Sequence, residues 1–297
     1  MENYRKYLDP KVLSRLEGLR LTARGAVEGY VSGVHHSPYR GFSIEFAEHR
    51  EYAPGDDLRY LDWKVFGRTD KYYLKQFEEE TNLVCYLLLD VSRGMNYRSA
   101  GATTSKLDYS RQLAAVMAYL VLHQQDSVGL VTFDEAVGTL VTPSGNPSQL
   151  KHILEVLDEP PPGRKTATAT IFHELAERFK RRGVVIVISD LLDDVETMMN
   201  GLKHFRHRRH AVLLFHVIDP AEIEFSFDET TLFEGLEGET ATLVDPRALR
   251  TAYRRQFEQF VREVKHGCRM HQMDYVPMRT DRPIDVALMA ALGGRGK

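Results

Sequence analysis

LVCYLLLDVSRG, residues 83 to 94, begins as a continuous apolar run and stops abruptly in Asp90-Val91-Ser92. An apolar run without alternation is buried on both faces, which marks a strand inside a parallel sheet. A long helical pattern follows, so Asp90 and Ser92 fall where such a strand hands over to its crossover helix. In open α/β sheets that carboxyl edge is the crevice in which ligands bind. A second strand, VVIVISD from Val184 to Asp190, ends the same way. If the two strands are neighbours, Asp90, Ser92 and Asp190 converge within reach of one cation. Carboxylate and hydroxyl oxygens suit magnesium, manganese or calcium and not zinc. The loop Lys165–Thr170 offers further hydroxyls just before a helix, whereas Gly94 has no side chain where another oxygen ligand is expected. The alternative is structural: Asp commonly caps the helix that follows it, and Asp and Ser are common at strand ends.

Outward from this stretch the pattern alternates between strand and helix. Lys106–Gln124 reads as a helix, Ser127–Phe133 as a strand and Ala136–Thr142 as its antiparallel neighbour. Pro147–Leu157 and Ile171–Lys180 read as helices, Val195–Phe205 as another, and Ala211–Ile218 as a strand. Arg247–Lys265, Met273–Met278 and Ile284–Leu292 complete a helix, strand and helix. Strands alternating with helices predict a parallel sheet covered on both faces. Residues 221–245, with Phe225, Phe227 and Phe233, read as an inserted hairpin or edge ornament. Upstream, Asp9 and Pro10 suit the start of a helix over 9–28. From 30 to 81 the texture turns Tyr-, Phe- and Gly-rich: Phe42, Ile44 and Phe46 recur at period two, Tyr52–Asp56 signals a turn, and Lys71–Phe77 is extended. The expected division is thus a helix and small β layer over 1–81, then an α/β domain over 82–293.

At 297 residues and 43% hydrophobic, the chain can bury a full core. Its net charge of −3 argues against a nucleic-acid binder. Two cysteines, Cys85 and Cys268, fit a reducing compartment and supply no disulfide framework. The N-terminus is charged and lacks a signal-peptide core, and no apolar run approaches the roughly 18 residues needed to cross a bilayer. The expectation is a cytoplasmic protein without a membrane span.

Asp90-Val91-Ser92-Arg93-Gly94, the SVGLVTF strand, the Thr-rich loop and Ser189-Asp190 together resemble a von Willebrand factor A-like domain with its metal-ion-dependent adhesion site. That resemblance implies a doubly wound, mostly parallel sheet with helices on both faces. It implies Asp90, Ser92, Asp190 and Thr168 or Thr170 as ligands of Mg2+ or Mn2+, with Gly94 in place of a Ser ligand. Upstream, Gly41–Phe46, Arg50–Arg59, Leu61-Asp62-Trp63 and Gly67-Arg68 resemble the signature of the bacterial domain-of-unknown-function 58 family, in which this segment directly precedes a von Willebrand A-like domain. Family genes commonly lie beside MoxR-type AAA+ ATPases. The implied role is a non-enzymatic adaptor or co-chaperone that binds such an ATPase or its client, a metal at the edge accepting a partner carboxylate. A scaffold with a dead metal site is a second reading.

The signature segment also carries its own physics. Asp56, Asp57, Arg59 and Asp62 crowd charge beside Trp63, with Arg50 and Arg68 as available partners. They form either an ion-pair network anchoring the β layer or an interaction face. The basic run Lys203–His210 lies at a helix end, where cations oppose the dipole. His35-His36 near Ser37 do not make a triad by adjacency. A magnesium-dependent phosphohydrolase with Asp90 as nucleophile would need a second acid where Ser92 stands.

Overall fold

The computed structural model describes residues 4–16, 44–53, 61–79, 83–161, 168–235 and 241–292. The chain divides into two compact units, the smaller drawn from residues 32–82 and the larger from 1–31 and 83–297.

The larger unit opens with α1 (Tyr4–Tyr7) and α2 (Pro10–Leu16). Asp9 accepts from the Lys11 amide at 2.8 Å, and Pro10 takes a first-turn position where its missing N–H costs nothing. The helix expected over 9–28 is observed to Leu16, and residues 17–28 lie outside those described. Tyr7, Leu8 and Leu16 enter the core of the larger unit, and Arg15 pairs with Asp285 at 2.8 Å.

The smaller unit holds β1 (Ile44–Glu51), α3 (Trp63–Thr69) and β2 (Tyr73–Glu79). The two strands pair antiparallel, with a register shift between Phe46 and Glu48. Ile44 and Phe46 thus lie on a strand and Tyr73–Phe77 on its partner, while Phe42 and residues 54–56 fall outside those described. Helix α3 was not expected. Asp62 caps it, accepting from the amides of Lys64 and Val65 at 2.9 and 3.3 Å.

The larger unit resumes with β3 (Val84–Asp90), a short turn at Arg93–Asn96, α4 (Lys106–His123), β4 (Ser127–Phe133) and β5 (Val137–Ser144). Helices α5 (Ser148–Leu157) and α6 (Thr168–Arg178) lead to β6 (Val184–Ser189), α7 (Val195–His207) and β7 (Ala211–Ile218). The expected ornament follows as α8 (Pro220–Glu224) and the paired strands β8 (Thr231–Phe233) and β9 (Thr242–Val244). Helix α9 (Pro246–Met270), β10 (Asp274–Arg279) and α10 (Ile284–Leu292) close the fold.

Six strands form one sheet in the order β10-β7-β6-β3-β4-β5, parallel throughout except for β5, which runs antiparallel to β4. Side chains alternate along each strand, so the sheet feeds two separate cores. On β3, Cys85, Leu87 and Leu89 join α4, α5 and α10 on one face; Val84, Tyr86 and Leu88 join α6, α7 and α9 on the other. This is the doubly wound, von Willebrand factor A-like architecture. The chain leaves β3 towards β4 and returns on its other side as β6, so the direction of winding reverses between β3 and β6. That topological switch point is where such sheets open a crevice. Close strand packing also fixes Gly183, just ahead of β6, where a Cβ would stand 1.9 Å from the Val84 carbonyl oxygen. Among the described residues no helix is long and apolar enough to cross a membrane.

Candidate functional site

Both expected carboxylates lie at the switch point. Asp90 is the last residue of β3 and Asp190 directly follows β6, its neighbour in the sheet. Asp90 is 0% exposed. One of its oxygens accepts from the Ser92 amide at 2.9 Å and the other from the Ser189 hydroxyl at 2.6 Å. The Ser189 hydroxyl in turn accepts from the Leu191 amide at 3.0 Å. Burial, then the nearby Asp190 charge, push the Asp90 carboxyl up to about 7 against these hydrogen bonds. Leu191 holds a left-handed backbone with φ of 58°, a strained conformation for a leucine, which packing keeps fully buried beside the site.

Asp190 has a resident cation. The Lys106 ammonium, at the first position of α4 and 1% exposed, donates to Asp190 Oδ2 and to Glu222 Oε1, both at 2.7 Å. Burial works against that charge, but the two carboxylates more than reverse it and hold the lysine above its ordinary pKa. Glu222 is aimed by a capping box: its other oxygen accepts from the Asp219 amide at 2.8 Å while Asp219 accepts from the Ala221 amide. Burial raises the Glu222 carboxyl, with Lys106 opposing.

This donor set does not fit a divalent ion. An ammonium already lies on Asp190 Oδ2, Asp190 Oδ1 accepts from the Leu192 amide at 3.3 Å, and both Asp90 oxygens accept protein hydrogen bonds. At position 94 a Cβ would lie only 3.2 Å from Asp190 Oδ2, so Gly94 leaves that carboxylate to Lys106 and adds no hydroxyl. Thr168 starts α6, and Thr170 is exposed on its first turn, unlike buried Asp90 and Ser92.

Beside Lys106 the sheet edge and the ornament enclose a cavity of about 430 Å³. Ser92, Gly94 and Asp190 supply its floor, and rings from Tyr97, Phe225, Phe227, Phe233 and Tyr253 its walls. The sequence marked the aromatic ornament but not its place against the site. It also passed over Lys106 and Glu222, although Asp219-Pro220-Ala221-Glu222 is a readable capping box. Asp134 was missed as well: it follows β4 as Asp90 ends β3, and it is buried.

The signature cluster resolves differently. Asp56, Asp57 and Arg59 lie outside the described residues. Asp62 is a buried helix cap, Arg68 is exposed, and Arg50 lies on β1. Trp63 is 64% exposed and meets Phe66 edge-on at 6.1 Å. In the basic run, Arg206 donates to the His210 carbonyl at 2.8 Å, Arg208 pairs with Glu177, and His210 is buried, so much of the run is structural. His35 and His36 lie outside the described residues.

Residues 48–267 match the family described as protein of unknown function DUF58. The uncharacterized protein Rv1480 of Mycobacterium tuberculosis is 28% identical over 296 residues, covering 97% of this chain and 92% of its own. An uncharacterized protein of Mycobacterium bovis matches to the same extent. Among solved structures, the conserved hypothetical protein BatB from Bacteroides thetaiotaomicron is 17% identical, with a TM-score of 0.47 over 70% of this chain and 95% of that one. The SpRpn10 VWA domain is 13% identical, with a TM-score of 0.40 over 70% and 94%.

Proposed function

We propose, from the premise that this chain belongs to the DUF58 family, that it is a non-enzymatic protein-interaction module serving as adaptor or co-chaperone for a MoxR-type AAA+ ATPase. The supporting observation is the construction of the sheet edge. Its carboxylates are spent on internal partners, while an aromatic-walled cavity beside them stays open. Asp90, the nucleophile a phosphohydrolase would need, is buried and bonded at both oxygens, out of reach of a phosphoryl group. The ATPase as partner rests on the implication of the signature segment.

The test is an affinity pull-down of the tagged chain from its native lysate, in magnesium and in excess chelator, read by mass spectrometry. An AAA+ ATPase recovered equally in both is the expected result. Recovery only in magnesium would restore a metal bridge, and recovery of no ATPase would remove the adaptor role. Phosphate release from a generic substrate, abolished by Asp90→Asn, would overturn the non-enzymatic reading.

A further inference from the structure

A divalent ion between two carboxylates would leave a sheet edge neutral and offer an open coordination position to an acid. The cavity here has the opposite sign. Lys106 is the one cation on its described lining, against Asp190, Glu222 and Glu234. Two of the three Lys106 N–H donors are committed to Asp190 and Glu222 within the wall. The Arg250 guanidinium is held by the carbonyls of Phe225 and Phe227 and by Asp228, at 3.1, 2.8 and 2.9 Å. The described lining thus carries three acids against one ammonium, with Glu234 exposed and Lys106 buried.

The rings add a second, independent preference. Phe225 stacks on Tyr253 at 4.3 Å between centroids, and Phe227 meets Phe225 and Phe233 edge-on at 5.3 and 5.2 Å. Ring faces carry negative potential and attract ammonium and guanidinium groups, arginine most readily because its plane also stacks. The cavity volume lies in the range of small-ligand pockets, roughly 300–1,000 Å³, which is ample for one long side chain. A carboxylate would meet three acids across these walls, and a purely aliphatic side chain would leave the acids unused.

We propose that this cavity is a docking pocket for a basic side chain, arginine above lysine, presented by a partner polypeptide. The proposal deepens the interaction-module reading and rests on it. Selectivity comes from the acids and the rings acting together: Glu222 and Glu234 set the sign, and Phe227 and Phe233 grip the flat guanidinium.

The test uses capped tripeptides, acetyl-Gly-Xaa-Gly-amide with Xaa as Arg, Lys, Glu or Leu, titrated into the full chain in chelator. Nuclear magnetic resonance of the aromatic side chains reads the binding. The Arg peptide is expected to bind most tightly, then Lys, with shifts at Tyr97, Phe227 and Phe233. Phe227→Ala and Glu234→Gln, both at partly or fully exposed positions where folding is preserved, should each weaken the Arg peptide by about fivefold, the scale of a cation–ring contact near a surface. Glu or Leu peptides binding as well as Arg would overturn the proposal. So would no Arg binding up to about 20 mM, a concentration that detects even millimolar affinity, or Arg binding untouched by both variants. These probes need no ATPase, so an empty lysate pull-down with a selective Arg pocket would retire the partner and keep the pocket.

Discussion

Lys106 heads helix α4, where the positive end of the helix dipole disfavours an ammonium and strong counter-charge is needed to hold it. Asp190 and Glu222 supply that charge, each at 2.7 Å. Lys106→Met should therefore lower unfolding free energy by about 3–5 kcal/mol, because two buried carboxylates lose their partner. Adding Asp190→Asn to it should return part of the loss, and a denaturant double-mutant cycle reads the coupling directly. Gly94→Ser tests the same locality from the other side. Its Cβ would press to 3.2 Å on Asp190 Oδ2, so a cost of about 1 kcal/mol is expected, as for mild overpacking. Titration calorimetry should find no magnesium binding in that variant, because the ammonium remains in place; a micromolar affinity would show that the missing hydroxyl alone had barred the ion. Asp90, Ser92 and Asp190 were legible because each lies at, or within two residues of, the end of a recognisable strand. Lys106 was not, since its partners lie 84 and 116 positions away and leave no local pattern.

At the scale of the elements, β7 carries one of the pH-sensitive groups. His216 is fully buried on it, its Nδ1 2.6 Å from the Tyr275 hydroxyl on β10. Burial pushes its pKa down to about 4, with Asp190 opposing. The unfolded chain, with an ordinary histidine, takes up a proton below about 6.5 while the folded chain refuses it until near 4. Stability from this group is thus complete above about 6.5 and is lost as pH falls, by about 2 kcal/mol at pH 5. Asp90, held up at about 7, acts with the opposite sign over the same range, so the His216 contribution is read as the difference between the wild-type and His216→Gln profiles from pH 7 to 5 by urea unfolding; two profiles of equal slope would overturn it. Gly183→Ala tests the entry to β6, where any Cβ collides with the Val84 carbonyl. A loss of about 2 kcal/mol or more is expected, since the backbone itself must move. Most elements of the larger unit were legible because buried strands and amphipathic helices repeat at different periods. Helix α3 was missed because Trp63–Thr69 has no apolar stripe and its cap, Asp62, sits in a run of charges that hid it.

For the whole molecule, the sheet binds two cores through the alternating faces of the same strands, and its switch point gathers residues from distant segments. If a magnesium ion were part of the folded state, magnesium at about 100 times its Kd would add roughly 2.7 kcal/mol to stability. The expected result is a melting temperature equal in millimolar magnesium and in chelator, and a rise of several degrees would bring the metal back. The DUF58 match, from residue 48 to residue 267, covers segments of both units. The Lys106 tie has a further consequence in time. It closes only after α4, β6 and the ornament have all taken their places, because it joins three segments far apart in the chain. Closing such long loops costs entropy before the contact rewards it, so this tie is expected to form on the native side of the transition state. The lysine therefore acts as a latch: removing it should speed unfolding while leaving the refolding rate nearly unchanged.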